Sequence, residues 1–243
     1  MRPVSKKKPG DEVEFITSMN RKIIHTIKED YDPYGTAKAP LIANLGSFCS
    51  YCEEPRSIGD IHVEHVKPKD VYKELKTKWN NFLLACNICN SVKGETDVDY
   101  NKTHFPHKDN TFLDFVYEAS GRVKLNPTLP ADLKEGAEGL YNLAKLGRDP
   151  FGEEATSEQD FRWRHRYESW ELAEKLLVEY EDKKHSVEDI VYYANLKGNW
   201  SVWFTLFKGK DEVRKALIEN TPGTCAECFD AGNHYEPVRR VSF

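Results

Sequence analysis

Three stretches decide how this chain is read: Cys49-Ser50-Tyr51-Cys52, Ile61-His62-Val63-Glu64-His65-Val66-Lys67-Pro68, and Cys86-Asn87-Ile88-Cys89-Asn90-Ser91-Val92-Lys93-Gly94. Two Cys-x-x-Cys pairs bracket an acid–histidine pair. Four thiolates spaced in this way can fill the four corners of a tetrahedral Zn²⁺ site, each pair supplying one knuckle. Cys49, Cys52, Cys86 and Cys89 are the expected ligands. Such a site has no open coordination position and is structural. Metal binding of this kind is worth about 10–16 kcal/mol in small peptides, enough to hold a segment that has little apolar core. The alternative is two disulfides or four free buried thiols.

Composition sets the frame around that segment. The chain has 243 residues, long enough for one large domain or two small ones. Hydrophobic residues make up 39% and charged residues 31%, which predicts a globular chain with a modest core. The opening Met1-Arg2-Pro3-Val4-Ser5-Lys6-Lys7-Lys8 lacks the apolar core of a signal peptide, and no apolar run approaches transmembrane length. Together with zinc-type cysteine spacing, this predicts a reducing cytosol and no membrane partner. Net charge is −5, but residues 1–100 carry 15 basic and 15 acidic side chains, against 20 and 25 in the remainder. The acidic excess lies outside the cysteine segment. Because nucleic-acid binding needs a local basic track and not a basic total, net charge excludes nothing here.

Apolar periodicity predicts the elements. Residues 11–30 read as a helix, with Phe15, Met19, Ile23 and Ile27 on one stripe. A short helix is expected over 37–45, a strand over 61–67 ended by Pro68, a helical turn over 70–76, and a helix starting near Asn90. Residues 112–123 read as a hairpin turning at Ser120-Gly121. Asn126-Pro127 and Leu129-Pro130 mark a soft boundary. Beyond it, helices are expected over 131–146, 157–183, 186–196 (capped by Ser186), 199–208 and 211–220.

Residues 49–94 resemble the HNH nuclease family. The family pattern is C-x-x-C, then acid-His-x-x-Pro, then an Asn ahead of C-x-x-C-N/H-x-x-K-G. It is met at Cys49, Cys52, Glu64, His65, Pro68, Asn81, Cys86, Cys89, Asn90, Lys93 and Gly94, over about a fifth of the chain. The resemblance implies an α+β protein: a ββα-metal module stapled by the four-cysteine zinc site at about 46–96, followed by a mainly helical C-terminal region. It also implies a second, catalytic divalent ion, Mg²⁺ or Mn²⁺, and phosphodiester hydrolysis of nucleic acid. DNA is the favoured substrate, with RNA or tRNA open.

The chemistry explains the residue types. Hydrolysis needs a deprotonated water and neutralisation of developing charge. His65 is the expected general base, worth about 10²–10⁴ in rate. Glu64 and Asn90 offer hard oxygen ligands for the catalytic ion, although Asn90 is also a candidate helix N-cap. Neighbours on a strand face opposite ways, so either a bulge or the strand's end must bring Glu64 and His65 to one site. Asn81 is expected to brace the histidine loop by hydrogen bonding. His62 shares the face of Glu64 and is a candidate ligand or phosphate contact. Lys93 is either a phosphate contact or a solvated lysine.

Further stretches resemble one branch of the family: Met1-Arg2-Pro3-Val4, Cys49-Ser50-Tyr51-Cys52-Glu53, Trp200-Ser201-Val202-Trp203-Phe204 and Pro222-Gly223-Thr224. That branch holds the HNH partners of retrons and of the Septu anti-phage system, the PtuB type. The resemblance implies a cytosolic bacterial defence nuclease working with an ABC/SMC-like ATPase of the PtuA type. On this reading residues 1–130 form the nuclease region with an N-terminal helix, and residues 131–243 form a helical region that docks the partner. Trp200, Trp203, Phe204 and Phe207 are expected in the core, with partner docking as the rival role. Arg162, Arg164, His165 and Arg166 read as a solvated helix face or as phosphate contacts. Cys225 and Cys228 with His234 lack a fourth ligand and read as free thiols. The non-enzymatic alternative is a zinc-stapled nucleic-acid-binding or assembly module. The intact Glu64, His65 and Asn90 set argues against it.

Overall fold

A computed structural model describes residues 1–17, 19–150 and 160–240. The chain begins with an antiparallel hairpin of β1 (Glu12–Ile16) and β2 (Lys22–Thr26), followed by α1 (Lys38–Leu45). Next come β3 (Ile61–His65), β4 (Phe82–Cys86) and α2 (Asn87–Lys93). A second small hairpin pairs β5 (Phe115–Tyr117) with β6 (Val123–Leu125). Five helices follow: α3 (Ala131–Ala144), α4 (Arg162–Glu181), α5 (Val187–Lys197), α6 (Trp200–Leu206) and α7 (Asp211–Asn220). A two-residue pair, β7 (Phe229–Asp230) with β8 (Glu236–Pro237), comes last. Every sheet among the described residues has two antiparallel strands. This is the α+β class, with a helical C-terminal region. No helix among the described residues is long and apolar enough to cross a membrane.

Residues 11–30 form a hairpin, not the predicted helix. The stripe Phe15, Met19, Ile23, Ile27 is spaced by four, and four is a multiple of the strand period as well as close to the helical one. The β-branched density of Val13, Ile16, Ile23, Ile24 and Thr26 decides for strand. The reversal is closed by Thr17 N donating to Arg21 O and by Asn20 at φ +56°. Val13 and Ile27 are buried at the base, whereas Ile16, Met19 and Ile24 are 54–76% exposed. The helix starting near Asn90 begins three residues earlier, at Asn87, with Cys86 as its cap. The remaining helices lie where the periodicity places them, and Ser186 opens α5 in a capping box with Asp189. Ser18, in the first predicted helix, and residues 157–159, in the predicted 157–183 helix, lie outside the described residues.

Two apolar cores hold the chain. The first gathers α1, β3 and β4 around Leu41, Leu45, Ile61, Trp79, Phe82 and Leu84, and it takes Leu140 and Ala144 from α3 although that helix follows Pro130. The second is built by α4–α7 around Leu176, Ile190, Trp203, Phe204, Phe207 and Leu217. Trp200, Trp203, Phe204 and Phe207 are all buried there, at 3% exposure or less, so none is an interface anchor. Trp200 Nε1 donates to Leu217 O at 3.1 Å and Trp203 Nε1 to Gly198 O at 3.0 Å, which satisfies both indoles.

Glu53 joins the two cores. Its carboxylate accepts from Ser201 N (2.8 Å) and Ser201 Oγ (2.6 Å), and its carbonyl from Asn199 N (3.1 Å). The approach is close enough that Gly198, at φ +75°, has no room for a side chain: a Cβ would lie 2.4 Å from Pro55 Cδ. The hairpin assignment has a direct test by chemical denaturation. Met19→Ser and Ile24→Thr are expected to change stability by no more than about 0.5 kcal/mol, since both side chains are exposed. Ile27→Ala, at the buried base, is expected to cost about 2–5 kcal/mol. A helix packed through the predicted stripe would make Met19 costly too.

Candidate active site and thiolate cluster

The four predicted cysteines converge. Cys49, Cys52, Cys86 and Cys89 are buried, and their Sγ atoms all lie within 4.8 Å of one another. Cys52 Sγ and Cys86 Sγ are 3.7 Å apart. A Zn–S bond near 2.3 Å gives a tetrahedral S···S edge of about 3.8 Å, so the cluster suits zinc. All six cysteines are free, which removes the disulfide reading. The first knuckle is shaped by Cys49 N donating to Glu54 O and Glu53 N to Cys49 O, and it is tied to β4 by Ser50 N donating to Leu84 O at 2.7 Å. In the second, Cys86 Sγ accepts from Cys89 N at 3.5 Å and caps α2.

Arg162 completes this cluster, a role the sequence did not show. Its Nη1 donates to Cys89 Sγ at 3.4 Å and to Ala144 O at 2.8 Å, while Nε and Nη2 are held by Asp160 at 2.8 Å. The side chain is 2% exposed. Arg166 is also buried and donates to Gly121 O, and His165 pairs with Glu54. Of the predicted solvated or phosphate-binding run, Arg164 is exposed and paired with Glu168, and the His165 side chain is half-exposed. The others anchor α4 to the body. Cys225 and Cys228 are buried apart from His234, which is exposed and bonded to Asp211. Among the described residues they join no metal-ligating group of three or more.

Beside the thiolates, β3, β4 and α2 place the acid–histidine pair on an open cleft of about 430 Å³. The β3–β4 register is regular, Glu64 opposite Leu83 and His65 opposite Phe82, so there is no bulge. His65 is the last residue of β3 and lines the same cleft as His62, Val63 and Glu64. Asn90 reaches the same cleft from α2. Because Cys86 is the cap, Asn90 does not serve as one.

The tautomer of His65 follows from its partner. A carbonyl only accepts, so Nε2 carries the proton and donates to Lys76 O at 2.9 Å. Nδ1 has no hydrogen-bond partner among the described residues and keeps its lone pair. Burial, reinforced by Lys69 and Lys93 and opposed by the Lys76 carbonyl, lowers the imidazole pKa and favours the neutral base. The ring is held edge-on by Tyr34 at 4.7 Å and Phe82 at 5.1 Å. Asn81 fixes the loop between them: Nδ2 donates to Lys67 O (2.9 Å) and Leu75 O (3.2 Å), and Oδ1 accepts from Lys67 N (2.7 Å). Asn81 is buried and does not line the cleft, and its hydrogen bonds brace the histidine loop as expected.

Glu64 is 3% exposed, and burial pushes its carboxyl pKa up against the pull of Lys93. Oε1 is buried 2.9 Å from the Lys93 ammonium, and His62 Nε2 is buried without a hydrogen-bond partner among the described residues. A carboxylate and a carboxamide on the same cleft offer hard oxygen donors, a set that fits a hard divalent cation. Lys93 departs from both of its predicted roles. It is neither a phosphate contact nor solvated, but buried against Glu64 and His65. Lys38, Lys69 and Tyr34 line the cleft and were missed. Lys69 lies one residue beyond the motif's Pro68, whereas Tyr34 and Lys38 are distant in sequence and carried no signal.

With this geometry, the class follows from comparison: residues 49–96 match the family model described as HNH endonuclease, and the module is an HNH endonuclease domain. Over 62 residues the chain is 37% identical to the Septu protein PtuB of Bacillus thuringiensis. That match covers 25% of this chain and 24% of the relative, so the chain spans about a quarter of the length of the curated relative it matches.

The thiolate cluster predicts about one zinc per chain by elemental analysis. Cys49→Ser or Cys86→Ser is expected to lose both the zinc and the cooperative thermal transition. Arg162→Met, which leaves Asp160 buried without its partner, should lower stability by about 3–5 kcal/mol while zinc is retained.

Proposed function

We propose that this protein is a divalent-metal-dependent endonuclease that hydrolyses phosphodiester bonds of nucleic acid. The observation that carries the reading is His65: Nε2 is committed to a backbone carbonyl and Nδ1 has no hydrogen-bond partner among the described residues, on the cleft that Glu64 and Asn90 also line. His65 Nδ1 takes the proton of a water aligned on the phosphorus. Tyr34, Phe82 and the Lys76 carbonyl keep the ring in that orientation. Glu64 and Asn90 would hold Mg²⁺ or Mn²⁺, which when bound neutralises charge on the phosphate and on the leaving oxygen. His62 is a candidate further ligand. Lys69 and Lys38 are placed to draw the phosphate backbone into the cleft.

The test is nicking of a supercoiled plasmid with Mg²⁺ or Mn²⁺. His65→Ala is expected to lower cleavage by about 10²–10⁴-fold while zinc content and fold are kept. Asn90→Ala is expected to raise the ion concentration needed for half-maximal cleavage, with partial recovery at high Mn²⁺. Near wild-type cleavage by His65→Ala with both ions would remove His65 as the base.

The likeness to Septu PtuB supports a role in anti-phage defence inside the bacterial cytoplasm, beside an ABC/SMC-like ATPase of the PtuA type. We place that docking on the helical region. With Trp200, Trp203, Phe204 and Phe207 buried, the anchors move to α5, where Tyr192 and Leu196 lie one turn apart and are 64% and 62% exposed. Co-expression of the ATPase with the wild-type chain should give co-purification, and Tyr192→Asp with Leu196→Asp should abolish it without changing the melting temperature. Retention of the ATPase by that double variant would move the interface elsewhere.

A further inference from the structure

Lys93 closes α2 and reaches back to β3. Its Nζ stands 2.9 Å from Glu64 Oε1 and donates to His65 O at 2.9 Å. Side-chain exposure is 2% for Lys93 and 4% for Glu64, and Lys93 does not line the cleft. The ammonium therefore meets the carboxylate from the protein side, while a cation in the cleft would meet it from the solvent side. A carboxylate this deeply buried needs a counter-charge. Lys93 supplies it. The lysine also has little freedom to withdraw when a second cation arrives, because its bond to the His65 carbonyl and its burial hold it in place.

We propose that Lys93 is the resident counter-ion of Glu64: it keeps the acid–histidine pair assembled without a divalent ion and weakens the binding of that ion by charge repulsion. The proposal rests on the reading of Glu64 as a metal ligand. The consequence is a nuclease site that is folded in advance yet fills only when free divalent ion is abundant. A unit charge at ion-pair range from a ligand is enough, at an effective interior dielectric, to shift the ion's dissociation constant by roughly tenfold or more.

The test measures Mn²⁺ binding by the zinc-loaded full chain, using titration calorimetry and the ion-induced shift in melting temperature. Lys93→Met is expected to be less stable without Mn²⁺, yet to bind it roughly tenfold more tightly and show a larger shift. Lys93→Arg, which keeps the charge, should respond like wild type. The double variant Glu64→Gln with Lys93→Met removes both charges. It should regain the ion-free melting temperature lost by the single variant and show no Mn²⁺ response. Should Lys93→Met be unfolded alone, Mn²⁺ should restore its thermal transition.

The proposal is overturned if Lys93→Met binds Mn²⁺ no more tightly than wild type. It is also overturned if the single variant stays unfolded in Mn²⁺ while the double variant folds. A wild-type chain that neither binds Mn²⁺ nor cleaves plasmid overturns the metal role of Glu64 as well. Wild-type binding and cleavage with no gain in Lys93→Met overturn the Lys93 role alone.

Discussion

The convergence of four buried cysteines is the constraint on which the β3–β4–α2 module depends. β3 and β4 form a two-stranded ribbon of five residues each, and α2 has only two turns. Neither is stable in isolation. Cys86 and Cys89 hold the start of α2, and Cys49 and Cys52 hold the loop that bonds to β4 through Ser50. A metal at that point fixes the angle between ribbon and helix, and with it the distance between Glu64 on one and Asn90 on the other. The cluster also reaches the helical region, because Arg162 on α4 donates to Cys89 Sγ. Such contacts to ligating sulfur orient the ligand and offset its charge.

The second feature of the design is the number of buried charges near the module, each met by a partner. Glu53 is capped by Ser201, Glu64 by Lys93, and Arg162 by Asp160. Buried pairs add little net stability compared with apolar packing, but breaking one is costly. The Glu53–Ser201 and Glu64–Lys93 contacts link segments far apart in sequence and set which surfaces meet, whereas Asp160 is a local partner that holds Arg162 toward the thiolate cluster. At the cleft, Lys93 contacts both the Glu64 carboxylate and the His65 carbonyl and so holds the two residues together.

His65 shows how local geometry assigns a chemical role. As the last residue of β3 it lines the cleft beside its neighbour Glu64. The loop from Val66 to Lys78 then returns to supply the Lys76 carbonyl, and Asn81 clamps that loop at both ends. One hydrogen bond selects the tautomer, and the rest of the loop makes that bond possible.

What the sequence determined by itself was the four-cysteine cluster, the residues that meet on the cleft beside it, and most helices. The paired Cys-x-x-Cys spacing, the Glu64-His65 pair and Asn90 were legible because their residue types have few other reasons to occur in that order. Helices α3 to α7 were legible because a period near 3.6 is sustained over several turns. The hairpin at 12–26 was not, because residues spaced by four satisfy both periods and only the pairing of β1 with β2 decides between them. The fates of Lys93, Arg162, Arg166 and the Trp200–Phe207 aromatics were decided by tertiary structure alone. A charged side chain on a helix reads as solvated unless its partner is known, and here Glu64 and Gly121 O come from 29 and 45 residues away in sequence. An aromatic face reads equally as core or as interface until packing covers it, and α4, α5 and α7 cover this one.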